Sequence, residues 1–367
     1  MESSSVKWVR LGDYISRRTE KNNNYDVPIY GVTRDGFIPP KQKEADTSMY
    51  NTFYLNDFVF NPARMEINSI YLNDFCEKAI CSSLYEIFYI KNTNVLLPHY
   101  LHIFLKRDEF ARQCEYIGWG SAREYCRTSD ISDIKIPLPS VAEQQKVVNA
   151  WRAFREIKVQ NEAKAAPLMQ LCRSYIQELK HKYPMQEIGP YINESNERNW
   201  NGNFTANEVR GIATSKGLIE TKANLDGVSL DSYKLVKPKE IAFVPDTSRR
   251  GDKMSLGLND SDKTYIVSSI SSVFRVNEEN ILPNFLYLWF CRPEFDRYAR
   301  FNSWGSAREA FSFEDMERCK IPLPPIEVQQ AIVNIYKCAN EARQIAEEAD
   351  RLSREVCPAL LQHVIHS

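Results

Sequence analysis

Two loops in the sequence carry the same six residues. They are Trp119-Gly120-Ser121-Ala122-Arg123-Glu124 and, 185 positions later, Trp304-Gly305-Ser306-Ala307-Arg308-Glu309. An aromatic ring, a flexible glycine, a hydroxyl and a guanidinium are groups used against phosphates and base edges. Ser121, Arg123, Ser306 and Arg308 are therefore candidates for such contacts. A structural reading stands beside this one: tryptophan as a core plug, glycine for a turn, and arginine paired with the adjacent glutamate. The two readings are balanced for the arginines, and core packing is the expectation for Trp119 and Trp304. Arg249, Arg250 and Lys253 lie in a glycine-containing loop between two strand-like runs, where a groove-entering loop competes with a solvated turn. Arg64 ends the Asn61-Pro62-Ala63-Arg64 run of the first half and joins the same candidate set.

Catalytic motifs do not accompany these groups. The sequence has no phosphate-binding G-x-x-x-x-G-K-[ST], no dinucleotide-binding G-x-G-x-x-G and no zinc-binding H-E-x-x-H. Its five histidines (99, 102, 181, 363 and 366) do not cluster with a nucleophile, and His99 and His102 are expected at a helix surface or groove edge. Asn61-Pro62-Ala63-Arg64 resembles only the opening of the Asn-Pro-Pro-aromatic motif of amino-methyltransferases, because it lacks the second proline and the aromatic. Its counterpart, Val244-Pro245-Asp246-Thr247, shares none of that chemistry. Neither a catalytic centre nor a metal site is expected.

Composition narrows the class without naming it. The 367 residues carry 47 Lys+Arg against 48 Asp+Glu, for a net charge of −1, with 43% hydrophobic residues. That is an ordinary globular balance for two or three domains. No run approaches the roughly 20 apolar residues of a membrane span, and the start, MESSSVKWVR, lacks the apolar stretch of a signal peptide. Nine scattered cysteines without a C-x-x-C pair fit reduced thiols in the cytoplasm. Charge is balanced in the strand-rich regions, −1 for 1–140 and −2 for 184–325, and reaches +4 only over 141–183. A protein gripping DNA by itself needs a basic face, so any DNA affinity here calls for a local patch or a basic partner.

The elements that position these residues are themselves repeated. Residues 98–148 align with 283–333 without a gap, and 21 of the 51 positions are identical, where unrelated segments give roughly 3. Lys135-Ile136-Pro137-Leu138-Pro139 matches Lys320-Ile321-Pro322-Leu323-Pro324, and a Gln-Gln pair follows each. Further upstream, Leu11-Gly12 faces Ile188-Gly189. A period this long is a duplicated domain rather than a solenoid. In each copy, short Val/Ile/Tyr/Phe runs read as strands, clearest in residues 53–64 and 241–252. A helix opens at Pro98 or Pro283, where the fixed φ suits a first helical position. A short strand then closes on Ile-Pro-Leu-Pro, whose two prolines mark a boundary.

Beyond each boundary the pattern becomes helical. Residues 141–182 contain no glycine, and Val147, Trp151, Phe154, Leu168, Tyr175 and Leu179 follow one 3–4 spacing. Lys158 and Asn161 stand where that seam turns polar. Asn161 is a candidate for setting register, and a partly wet helix face is the equal alternative. Pro167 is expected to kink or split the helix. Ile335, Leu352, Val356 and Leu360 repeat the seam less regularly over 326–362. Neither stripe is buried by its own helix, so the expected fold is α+β: two similar strand-rich globules and two long helices paired as an antiparallel coiled coil, with pseudo-two-fold symmetry.

This order of parts, duplicated, resembles the specificity subunit of type I restriction–modification systems. The resemblance rests on Ile136 to Pro139 with Glu143-Gln144-Gln145, and on Ile321 to Pro325 with Glu327 and Gln329-Gln330. It covers essentially the whole chain. The second acidic residue is spaced differently, and the last helical stretch reads as short. The resemblance implies target recognition domains over 1–140 and 185–325 and spacer helices over 141–184 and 326–367. Each domain would read one half of a split, asymmetric double-stranded DNA site, and the helices would set the gap and dock two methyltransferase subunits. It implies S-adenosylmethionine on those subunits, with ATP and Mg on any motor–nuclease subunits that join for cleavage, and no cofactor on this chain. Two alternatives stay open: a coiled-coil protein–protein scaffold without DNA readout, and the specificity subunit of a related fused restriction–methylation system.

Overall fold

The computed structural model describes residues 6–23, 27–40, 46–118, 125–247, 253–305 and 309–366. They form two compact units, one of residues 1–161 with 345–367 and the other of residues 162–344.

The first unit begins with β1 (Lys7–Arg10), β2 (Ile15–Arg18) and the short hairpin of β3 (Gly31–Val32) and β4 (Phe37–Ile38). There follow β5 (Asn51–Tyr54), β6 (Phe58–Phe60), β7 (Ile70–Leu72), β8 (Lys78–Cys81) and β9 (Glu86–Ile90). Helices α1 (Pro98–Leu105), α2 (Asp108–Gly118) and α3 (Thr128–Ser132) precede β10 (Lys135–Leu138). Pro98 occupies the first turn of α1, as its spacing predicts. The main sheet is antiparallel in the order β2-β9-β6-β7, with Phe58 opposite Phe88 and their rings stacked at 4.9 Å. Burying such a ring contributes about 1.5–3 kcal/mol. β1 pairs with β10, setting Trp8 opposite Pro137. Proline is tolerated there because the ladder has two strands only and an edge N–H is dispensable. Gly12 lies so close to α3 that a Cβ would meet Ser132 Cβ at 2.8 Å, which leaves room for glycine alone.

The second unit repeats the plan. It has β11 (Met185–Glu187), β12 (Ile192–Glu194), β13 (Arg210–Ala213), β14 (Gly217–Glu220), β15 (Lys234–Val236), β16 (Ile241–Phe243), β17 (Leu256–Leu258), β18 (Tyr265–Val267) and β19 (Ser272–Val276). Its sheet order, β12-β19-β16-β17, corresponds strand for strand to that of the first unit. Helices α5 (Pro283–Phe290), α6 (Pro293–Phe301) and α7 (Phe313–Glu317) lead to β20 (Lys320–Pro322), which pairs with β11.

Two long helices complete the units. The first, α4 (Val141–Lys182), lies between β10 and β11 in the chain and is split between the two units. The second, Ile326–His366, follows β20 and is 41 residues long against 42 for the first, so it is not short. In the first unit Val147, Val148, Trp151 and Phe154 share a core with Cys357, Leu361, Val364 and Ile365, while Lys158 reaches Asp350. Early residues of one helix thus meet late residues of the other, and the segments run antiparallel. In the second unit Cys172, Ile176 and Leu179 share a core with Ile332 and Val333.

Several expectations are corrected here. Pro167 does not split its helix, which runs through it unbroken. Pro167 has no N–H to donate to the Ala163 carbonyl, and both residues are exposed, so that carbonyl is open to solvent rather than buried. Tyr175 is 44% exposed, and its neighbour Ile176 takes the buried position. Asn161 does not bond across the seam: its amide donates to the Ile157 carbonyl of its own helix at 2.8 Å. His102 is buried rather than at a surface, with its ring against Tyr71 and Trp151.

Candidate nucleic-acid interface

In the second unit, β16 leads into the segment that carries the basic candidates. Pro245 O accepts from Phe311 N at 2.9 Å, and Asp246 bridges Ala310. Thr247 donates to Glu309 O from both its backbone N and its hydroxyl, each at 3.1 Å. Trp304 and Ala310 exchange both backbone hydrogen bonds, at 3.1 and 3.0 Å. The described ends that flank residues 248–252 and 306–308 are therefore joined in one backbone clasp. Gly305 sits at φ +143°, a conformation that favours glycine.

The first unit has the same clasp in outline. Pro62 O accepts from Cys126 N at 3.0 Å, which brings the exposed Arg64 beside the segment that leads out of the Trp119–Glu124 loop. Asn61 caps the short turn by accepting from Ala63 N. Lys253 is also exposed. Ser121, Arg123, Arg249, Arg250, Ser306 and Arg308 lie outside the described residues, as does Trp119.

Trp304 is not a core plug, because it is 70% exposed. Its backbone is held by Ala310 on both sides, and the ring is left on the surface of the clasp. Glu309 pairs with Arg300 of α6 instead of staying local to its loop. Exposed aromatics were missed at a second position: Tyr116 and Phe301, at 76% and 81% exposure, end α2 and α6 at the same place in the repeat. Their signal was the 185-residue alignment itself, in which an aromatic recurs on a polar helical turn.

A second group of polar residues, in the first unit, helps to hold the fold. A recess of about 350 Å³ beside β2 and β9 is lined by Arg17, Glu86, Arg127 and Thr128. There the Glu86 carboxylate already accepts from Thr128 N and Oγ1 and pairs with Arg17. Among the described residues no three His, Cys, Asp or Glu side chains cluster as metal ligands. No helix among them is long and apolar enough to cross a membrane.

A family model described as the type I restriction modification DNA specificity domain matches residues 7–166 and again residues 186–343. The chain belongs to this family. A curated relative described as the type I restriction enzyme MjaX specificity subunit of Methanocaldococcus jannaschii is 21% identical, over 90% of this chain and 83% of its own length. The crystal structure of a type I system S subunit from M. genitalium has the same fold, with a TM-score of 0.64 at 15% identity, covering 99% of this chain and 97% of that one. The HsdS subunit from Thermoanaerobacter tengcongensis matches over 100% and 97% of the two chains at 16% identity, with a TM-score of 0.40. As a specificity subunit the protein is the non-catalytic member of its system, with two target recognition domains and two long helices that pack together.

Proposed function

We propose that this specificity subunit reads a bipartite, asymmetric double-stranded DNA site, one half with each recognition domain. Residues 1–140 and 185–325 serve as the readers, and 141–184 with 326–367 as the spacer that sets the gap. Two methyltransferase subunits dock on this frame and bring S-adenosylmethionine, and motor–nuclease subunits bring ATP and Mg for cleavage. The observation that carries the reading is a framework repeated element for element in which the segments after β6 and β16 differ, while the Trp-Gly-Ser-Ala-Arg-Glu run is common to both. Arg64 and the Pro62–Cys126 bond in one unit stand where Thr247 and the Pro245–Phe311 bond stand in the other. Equal scaffolds with unequal tips suit two different half-sites. The near-neutral charge fits a reader whose partners supply most of the phosphate grip.

Arg64, Ser121, Arg123, Arg249, Arg250, Lys253, Ser306 and Arg308 are the proposed DNA contacts. The test is co-expression with a methyltransferase subunit, followed by methylome sequencing. The expected outcome is one new methyladenine motif, split into two unlike halves around a fixed gap. Replacing residues 1–140 with another recognition domain should then change one half only. A stable complex that adds no methylation motif would leave a protein–protein scaffold in its place.

A further inference from the structure

We propose that Gln144 and Gln329 are positioning residues that lock each recognition domain to its spacer helix and so restrict the DNA site to a single gap length. This rests on the bipartite reading above. Both side chains are fully buried, and each makes the same three hydrogen bonds to backbone. Gln144 Oε1 accepts from Leu97 N at 2.9 Å, and its Nε2 donates to Val95 O at 2.9 Å and Pro139 O at 3.0 Å. Gln329 Oε1 accepts from Leu282 N at 2.9 Å, and its Nε2 donates to Asn280 O at 2.8 Å and Pro324 O at 2.9 Å.

One amide thereby ties together three segments: the long helix in its first turn, the loop that opens α1 or α5, and the end of the Ile-Pro-Leu-Pro run. Both amide hydrogens and the carbonyl are used, and no other neutral side chain offers two donors and an acceptor at that reach. Directional bonds of this kind resist the sliding and rotation that an apolar contact of equal area would permit. The next residue of each Gln-Gln pair has a different role. Gln145 and Gln330 donate along the helix to Asn149 and Asn334 at 2.7 and 2.8 Å, in exposed positions. Only the first glutamine of each pair joins domain to helix. A change of one base pair in the gap moves a half-site by about 3.4 Å and turns it by roughly 35°. A joint free to swivel would therefore accept neighbouring gaps.

The test uses the complex co-expressed with methyltransferase subunits. Methylome sequencing of the wild type supplies the half-sites and the gap, and a plasmid library then presents those half-sites with gaps up to two base pairs shorter or longer. Wild type and the control Gln145→Met should methylate one gap. Gln144→Met and Gln329→Met should each raise methylation at adjacent gaps roughly tenfold, with the half-site bases unchanged. Assembled variants that keep the single gap while melting earlier would overturn the proposal and leave only a stabilising role. Altered half-site bases would overturn it as well. Where the methionine variants do not assemble, Gln144→Asn and Gln329→Asn, which keep the amide but stop a methylene short, take their place, and failure of these too overturns it in favour of a folding requirement. A wild type without any split motif is a separate failure: it removes the bipartite reading, and the clamp's effect on the gap with it.

Discussion

Lys158 Nζ stands 2.7 Å from Asp350 Oδ1, across 192 positions of sequence, and this ion pair joins the two long helices in the first unit. It is the cross-helix polar contact that Asn161 does not make. Burial raises the Asp350 pKa, but the Lys158 hydrogen bond and the charges of Lys158 and Arg354 outweigh it and hold the carboxyl below its ordinary value. The stabilisation is therefore present above the unfolded pKa of about 4 and is lost as pH falls through the lower folded value. With both side chains about a third exposed, Asp350→Asn should cost roughly 0.2–1 kcal/mol in a denaturant melt. The loss should shrink in high salt.

A stronger anchor holds the loop after β7. Asp74 pairs with Arg155 of the first long helix and with His99 of α1. Burial opposes its ionisation, yet the hydrogen bonds from His99 and Arg155 bring its pKa down to about 2. Against an unfolded value of about 3.9, that is on the order of 2 kcal/mol, present above pH 4 and lost as pH drops toward 2. Asp74→Asn should flatten the acid limb of a stability–pH curve over that window. Arg155→Ala should destabilise by about 1–3 kcal/mol at neutral pH by leaving the carboxylate poorly paired.

His102 adds a second acid sensitivity at higher pH. Burial, reinforced by the charge of Lys106, pushes its pKa well below 6.5. The unfolded chain takes up a proton there that the folded chain refuses. Stability is thus whole above about pH 6.5 and falls below it by up to roughly 1.4 kcal/mol per pH unit. His102→Phe should abolish this slope, as measured by urea melts between pH 5 and 7.

At the clasp, surface and core readings make opposite predictions. Trp304→Ala should change stability by less than about 0.5 kcal/mol, because its ring is mostly in water. Arg64→Glu and Lys253→Glu should each weaken or redirect methylation at one half-site only. A lysine or arginine on a phosphate should also lower the salt slope of DNA binding by about 1 when removed. Salt-titrated binding of the assembled complex to its target separates these outcomes from a loss of folding.

The frame of the molecule was legible because it depends on local rules repeated twice. Pro98 and Pro283 open helices through their fixed φ, and the Ile-Pro-Leu-Pro runs become the edge strands β10 and β20. The features that were not legible depend on neighbours far away in sequence. His102 is buried because Tyr71 and Trp151 close over it from another strand and from the long helix, which no helical spacing reveals. Trp304 is exposed because the partners of its backbone, not its apolarity, fix where it sits. Tyr175 and Ile176 both fit a 3–4 pattern within one position, and packing on Ile332 and Val333 goes to the isoleucine. Six of the eight proposed DNA contacts fall outside the described residues: Ser121, Arg123, Ser306 and Arg308 belong to the six-residue run that both halves share, and Arg249 and Arg250 to a run that the first half lacks.

The first unit borrows its last helical segment from the far end of the chain: Cys357, Leu361, Val364 and Ile365 belong to the core that Leu11 and Phe58 begin. The second unit draws only on residues 162–344. At a ribosome adding roughly 5–20 residues per second, the unit synthesised later is the one whose core can close first. The earlier one lacks Cys357, Leu361, Val364 and Ile365 from its core until the final turns emerge. A nascent chain ending at residue 344, held on the ribosome by a linker long enough to clear the exit tunnel, should therefore protect residues 162–344 from protease while residues 1–161 are still cut.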